Sequence, residues 1–285
     1  MRIAKLSVRI IVQIPTFIKW LGGKRRLLAQ IDPYLPNNVE RYFEPFLGGG
    51  AMFFYIKQKY DPKYSMLSDV NKDLIEAFIA VRDKPRELIE KLEYFNEKNS
   101  EGFYYKIREK FNQNRITGIM RVAAFIYFTK ACFNGVYRIN KKGEFNVPYG
   151  YYKNREIYNK EEIMFASQLL QGADIRVKDY NEILQHVKKN NLIYLDPCYD
   201  PLKRTSFVHY TKDRFSIQDR TKLYEFIIKA RSKGGMIILS NNDIVDVKNL
   251  YSAKGFNINV VEAARCVNVD PCGRGRIKEL LITNY

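Results

Sequence analysis

Between Arg41 and Asn71 the chain prescribes its backbone more narrowly than anywhere else. Arg41-Tyr42-Phe43 has the pattern of a short strand and runs into Glu44-Pro45-Phe46-Leu47-Gly48-Gly49-Gly50. Three successive glycines weaken both helix and strand, so they make a turn. Ala51–Tyr60 then reads as a helix, and Tyr64–Leu67 as a second strand ending at Ser68-Asp69-Val70-Asn71. Strand, glycine turn, helix, strand and acid, in that order, open a nucleotide-binding α/β unit. Asp69 lies 19 residues after Gly50, where a carboxylate at the end of the next strand can bind a ribose diol. The run is neither the GxGxxG fingerprint nor a phosphate-binding loop, and a glycine turn that holds no nucleotide fits the same residues.

A second apolar run, Leu192–Leu195, reads as a buried strand that stops at Asp196-Pro197-Cys198-Tyr199. Proline cannot continue a sheet ladder, so a carboxylate, a stiffened carbonyl and an aromatic ring arrive together at a strand's C-terminal end. Ligands of open α/β sheets bind at that end. The three groups suit an aromatic amine held flat with its N–H bonds accepted; a plain proline turn with Tyr199 as packing is the competing reading. Asp61-Pro62-Lys63-Tyr64 repeats the form, but Lys57, Gln58 and Lys59 precede it, so it reads as a turn. Upstream, Trp20-Leu21-Gly22-Gly23-Lys24 leads into a helix with Leu27, Leu28 and Ile31. The glycine pair lets Lys24 reach a ligand carboxylate or phosphate beside Trp20, while a packed tryptophan at a helix start fits equally.

Helical patterns follow over Leu74–Val81, Pro85–Glu97 and Ile119–Lys130, then a stretch punctuated by glycine and asparagine from Phe133 to Gly150. From Lys130 to Lys160 there are seven basic residues, two acidic residues and seven aromatics, which suits phosphate contact with stacking or wedging into nucleic acid. A solvated tyrosine-rich hairpin is the alternative. Strands resume at Ile175–Val177 and Met236–Leu239, with Ser216 as a candidate N-cap for a helix carrying Leu223, Phe226, Ile227 and Ala230. Ile258–Val261 and Glu279–Ile282 are expected to pair antiparallel at the sheet edge. The chain therefore divides into an N-terminal extension (1–14), one core made from 15–72 and 161–285, and an insert over 73–160.

With 46% apolar residues the chain can bury a sizeable core. Lys and Arg number 48 against 31 Asp and Glu, and the resulting +17 points to nucleic acid first and anionic membranes second. No run approaches the ~20 apolar residues of a membrane span. Met1–Ile14 is broken by Arg2, Lys5 and Arg9, and is expected to be an edge strand or irregular leader rather than a secretion signal. Cys132, Cys198, Cys266 and Cys272 form no CxxC pair, and with only His186 and His209 a zinc site has little support. A cytoplasmic, metal-free, basic protein is the expectation.

Six segments taken in order resemble the DNA adenine methyltransferases of the Dam type, the α group of the D12 class. They are Trp20-Leu-Gly-Gly-Lys24, Glu44-Pro-Phe-Leu-Gly-Gly-Gly50, Leu67-Ser-Asp-Val-Asn71, Asn134-Gly-Val-Tyr-Arg138, Gly143-Glu-Phe-Asn-Val-Pro-Tyr-Gly150 and Asp196-Pro-Cys-Tyr199, and the resemblance spans nearly all of Phe17 to Tyr285. It implies a Rossmann-like α/β core that binds S-adenosylmethionine and releases S-adenosylhomocysteine, with a mainly helical target-recognition insert carrying a β-hairpin. It implies cofactor contacts at Trp20, Lys24, Glu44, Phe46, Gly48, Asp69 and Asp196, and catalysis by Asp196, the Pro197 carbonyl and Tyr199. It also implies DNA contacts: Arg138 reading a guanine edge, Phe133 and Asn134 entering the base stack, and Val136 and Pro148 making apolar contact. The implied reaction is methylation of adenine N6 in double-stranded DNA at GATC or a similar site, beside a cognate restriction endonuclease where the enzyme belongs to such a pair. The loop alone also suits cytosine N4 or an RNA base, and a catalytically silent DNA-binding relative has the same fold. Cys198 stands where the family usually has a second proline, and Tyr151 where the best-known members have a basic residue. Covalent catalysis by Cys198 is disfavoured, because a carboxylate and a tyrosine matched to an amine make it unnecessary.

Overall fold

Successive side chains of a strand point to opposite faces, and here both faces are apolar. The structure is a computed structural model that describes residues 12–153, 156–197, 217–264 and 276–285. Its strands are β1 (Arg41–Glu44), β2 (Tyr64–Asp69), β3 (Asp174–Val177), β4 (Leu192–Leu195), β5 (Met236–Asn242), β6 (Asn257–Ala264) and β7 (Arg276–Thr283). Tyr42, Leu67, Leu192, Tyr194 and Ile238 enter one apolar cluster, and Phe43, Met66, Ile193, Leu195, Ile237 and Leu239 enter the other. A sheet buried on both sides needs helices on both sides.

The helices are α1 (Leu28–Ile31), α2 (Ala51–Tyr60), α3 (Lys72–Asp83), α4 (Pro85–Glu97), α5 (Glu101–Asn112), α6 (Gly118–Ala131), α7 (Lys160–Leu170), α8 (Ile217–Ser232) and α9 (Val245–Ser252). Phe53 and Phe54 of α2, Leu74 and Phe78 of α3 and Ile163 of α7 cover the first face, while Leu223 and Phe226 of α8 and Tyr251 of α9 cover the second. The first cluster continues without a break into α4, α5 and α6 through Phe95, Tyr104, Tyr127 and Phe128.

Strand order is β3-β2-β1-β4-β5-β7-β6. β1 to β5 are parallel, whereas β7 runs antiparallel to both β5 and β6. Chain progress reverses between β1 and β4, and a crevice opens there outside the strand ends. Because β7 runs backwards, its opening residues lie at the same end, with Glu279 opposite Asn242.

The first strand, turn, helix and second strand match the sequence expectation, and α2 has the expected bounds. Asp61 closes α2 in a left-handed conformation (φ 45°), and 61–63 form the short link to β2; the turn expected over Asp61-Pro62-Lys63-Tyr64 ends earlier, because Tyr64 already belongs to β2. Helices α5, α7 and α9 go beyond the sequence expectation. In α5 the buried residues are only Tyr104, Ile107 and Phe111, a stripe hidden among charges and capped by the Ser100 hydroxyl. The expected hairpin after α6 is a looser closure. Cys132 pairs with Tyr149 and Ile139 with Phe145 as isolated bridges, and Asn140 N donates to Glu144 O at 2.8 Å across the tip. Ser216, Cys198, Tyr199 and most of the N-terminal extension lie outside the described residues.

Candidate active site and nucleic-acid interface

Leu47 N donates to Ser68 O at 3.0 Å, so the glycine loop after β1 is pinned to the end of β2. Gly50 adopts φ +68° at the start of α2, and a Cβ there would lie 2.9 Å from the Phe78 ring. Gly48 (φ +49°) faces Trp20, whose Cδ1 would lie 3.2 Å from an added Cβ. Glycine is required at both positions, by left-handed backbone and by closeness. Asp69 accepts from Gly48 N at 3.3 Å and Asn71 N at 2.9 Å. Desolvation outweighs these donors and raises its carboxyl to about 6. Phe46, in the same loop, stacks on Tyr180 at 5.3 Å.

Lys24, Glu44, Asp196 and Glu279 meet in the crevice. Lys24 Nζ lies 2.9 Å from Asp196 Oδ1 and 3.6 Å from Glu279 Oε2, with Lys24 itself 6% exposed. Burial pulls the lysine pKa down, yet Asp196 and Glu279 together raise it above its ordinary value. Glu44 ends β1, is buried, and accepts the Tyr42 hydroxyl at 2.7 Å. Burial, reinforced by the Asp196 charge, lifts Glu44 to about 8, so its carboxyl is neutral at pH 7. Beneath them Tyr194 shares a hydrogen with Ser240 at 3.2 Å. Burial pushes the Tyr42 and Tyr194 phenols far up, and both stay protonated.

The turn over residues 132–150 is built differently. Phe133 is 52% exposed, and its N–H donates to Pro148 O at 2.9 Å, which sets these two candidate contacts side by side. Asn134 is left-handed (φ 56°), a conformation that asparagine tolerates. Val136 and Arg138 are half-buried, and Arg138 Nε donates to Asn146 Oδ1 at 2.8 Å. Tyr151 is exposed and its hydroxyl donates to Glu101. Trp20 joins the two regions: it lies over the glycine loop and stacks on Tyr137 at 6.0 Å.

The structure therefore gathers Trp20, Lys24, Glu44, Gly48, Asp69 and Asp196 around one crevice, and Phe133, Asn134, Val136, Arg138 and Pro148 on one turn. Sequence reading missed Glu279, Tyr42 and Tyr194. Glu279 has no motif around it, and only the antiparallel return of β7 carries it to the crevice. The two tyrosines sit inside apolar runs, where a phenol looks like packing. Among the described residues no three His, Cys, Asp or Glu side chains gather as a metal cage, and no helix is long and apolar enough to cross a membrane.

A parallel sheet reversed at β1 and β4, an antiparallel β7 between β5 and β6, and an acid-lined crevice over a glycine loop define a Rossmann-like methyltransferase fold. The chain belongs to the D12 class N6 adenine-specific DNA methyltransferase family, which it matches over residues 20–267. It is 40% identical to the Type II methyltransferase M.MjaIII of Methanocaldococcus jannaschii, covering 96% of this chain and 100% of that protein. Identity is 36% to the Type II methyltransferase M1.LlaDCHI of Lactococcus lactis subsp. cremoris, over 96% of each chain. The DNA adenine methylase of Vibrio cholerae is 34% identical over 93% of this chain and 94% of its own.

Proposed function

We propose that the protein transfers the methyl group of S-adenosylmethionine to the exocyclic N6 of an adenine flipped out of duplex DNA, within GATC or a closely related site. One observation carries the reading. Asp196, just past the C-terminal end of β4, is anchored by buried Lys24 at the switch point, on the strand that pairs in parallel with β1, which leads into the glycine loop.

The crevice suits this cofactor. Asp69 at the end of β2 fits a ribose diol, Trp20 and Phe46 supply aromatic faces for a base, and the acids around Lys24 favour a cationic ligand. When bound, S-adenosylmethionine supplies a sulfonium-borne methyl open to a nitrogen lone pair. The amine of adenine is conjugated with its ring and is a weak nucleophile. Asp196 and the Pro197 carbonyl accept its two N–H bonds, which draws the lone pair out of conjugation, and Asp196 is the acceptor for the proton that N6 sheds. Tyr199 stacks on the ring and holds it. Lys24 holds the Asp196 carboxylate in place through Oδ1. Catalysis is positioning and electrostatics, and the base must leave the duplex because its amine is hidden there.

Residues 73–160 form the target-recognition unit and 15–72 with 161–285 the catalytic core, with α3 as the seam, since it packs on β2, β3 and α7 as well as on α6. Arg138 reads a guanine edge, Phe133 and Asn134 enter the stack, and Val136 and Pro148 touch bases. The Type II names of two relatives favour a restriction–modification setting in the cytoplasm, with an endonuclease cutting the same site.

The test is transfer of labelled methyl to duplex oligonucleotides, with and without GATC and with the adenine of the site replaced by another base. Incorporation is expected only with GATC adenine present and is expected to vanish for Asp196→Ala. Undiminished turnover of Asp196→Ala would sink the mechanism, and incorporation independent of GATC would overturn the specificity.

A further inference from the structure

Tyr137 lies between Val136 and Arg138 in the turn given to DNA in the proposed function, on which this inference rests. Its side chain points inward and is almost wholly buried. Its ring stacks on Trp20 at 6.0 Å and 24°, packs edge-on against Phe125 at 4.9 Å and stacks on Phe145 at 5.2 Å. Trp20 in turn covers Gly48 and Gly49 of the cofactor loop. A line of direct contact thus runs from the turn through Tyr137 and Trp20 to the floor of the cofactor crevice.

A phenylalanine would complete that stack. The hydroxyl adds a polar tie that the ring alone lacks, donating to Asp73 Oδ2 at 3.1 Å. Asp73 stands in the first turn of α3, four residues beyond Asp69. The same carboxylate takes Arg121 of α6 through two bonds, 2.9 Å from Nε and 3.3 Å from Nη2. Arg121 is fixed further by Phe111 O at 3.0 Å and by the Phe111 ring, whose centroid lies 3.8 Å from the guanidinium carbon. Bidentate arginine–carboxylate pairing is directional and rigid. Burial, with Asp73 beside it, raises the Tyr137 phenol well above its ordinary value, so the hydroxyl stays a donor.

We propose that Tyr137 is a positioning residue that couples the two sites. Duplex DNA seated on the 133–138 turn fixes Tyr137, Tyr137 fixes Trp20 over the cofactor loop, and DNA and cofactor each tighten the other's binding. Asp73, clamped by Arg121, is the anchor against which the tyrosine is held. Such coupling is reciprocal by thermodynamic necessity.

The experiment measures S-adenosylhomocysteine binding by calorimetry, with and without a saturating GATC duplex, in wild type, Tyr137→Phe and Tyr127→Phe. Tyr127→Phe is the control: it deletes another buried hydroxyl, bonded to Asn99 at 2.8 Å, on the side of α6 that faces Phe95 and Phe103. In wild type, DNA is expected to tighten cofactor binding by about 5- to 150-fold, the usual range of such couplings. Tyr137→Phe is expected to lower that factor toward unity, and Tyr127→Phe to keep it. Wild-type coupling in Tyr137→Phe, equal loss in the control, or no coupling in a wild type that binds both ligands would each overturn the proposal. A wild type that binds neither ligand would instead bring down the proposed function itself. Should Tyr137→Phe fail to fold, Asp73→Asn, which keeps the shape and weakens the acceptor, is read by the same criteria.

Discussion

The crevice beside β1 and β4 and the turn over residues 132–150 meet at Trp20, yet they handle charge in opposite ways. In the crevice one buried lysine is paired with Asp196 and Glu279, Glu44 feels the Asp196 charge, and these close contacts fix the geometry. On the turn, Phe133, Pro148 and Tyr151 face solvent within a segment rich in basic residues. A small ligand whose reacting atom must be placed within a fraction of an ångström needs the first construction. A polyanion gripped along its backbone and sampled base by base needs the second. On the proposed function, chemistry and recognition are assigned to separate regions of the chain, and substitutions in the two regions should fail differently.

The largest expected effect lies in the crevice. Asp196→Ala should lower kcat by about 10³-fold or more, as removal of a preorganised charge-stabilising group does elsewhere. The loss should be the same for every DNA sequence tested, and a loss confined to particular sequences would break the division of labour. Lys24→Met removes the buried ammonium that lies 2.9 Å from Asp196 and 3.6 Å from Glu279, and breaking such a buried ion pair should cost about 3–5 kcal/mol of stability. Urea denaturation checks this, with a shift below about 1 kcal/mol arguing that the buried cluster is not rigidly paired. Gly50→Ala drives a Cβ against Phe78 at a left-handed position, and about 1–3 kcal/mol should be lost in the same assay.

Arg138→Ala tests the other region. It should cost about 1–3 kcal/mol in discrimination at one guanine while kcat on the preferred duplex changes little. Competition between duplexes that differ only at that base measures it, and a uniform loss across sequences would recast Arg138 as a phosphate contact. The smallest effect is a proton count. Glu44 titrates near 8 in place of its ordinary 4.5, so its neutral form stabilises the fold fully below about pH 4.5, and that contribution is eroded as pH rises toward 8. A cationic ligand beside Glu44 favours its ionised form, so cofactor binding at pH 7 should release a proton and tighten as pH rises. Calorimetry in buffers of different ionisation enthalpy reads the release, and Glu44→Gln should abolish it.

Much of this was legible locally. The glycine turn and the Asp-Pro stop announce themselves by residue type, because backbone freedom at Gly48 and Gly50 and the missing N–H of Pro197 act over a few residues. Helices α2, α3, α4 and α6 were legible from apolar spacing. Helix α5 was not, since Tyr104, Ile107 and Phe111 are its only buried residues and charges fill the gaps.

By itself the sequence determined the order of elements, the two strand ends that carry carboxylates, and the basic aromatic character of the insert, all properties of neighbouring residues. Only the tertiary structure decided that Glu279 shares Lys24 with Asp196, that Tyr42 holds Glu44, and that Tyr137 joins Trp20 to Asp73. Those partners are distant in sequence for the most part, and their ionisation depends on burial. Strand pairing and desolvation are collective outcomes of packing, and no local pattern encodes them.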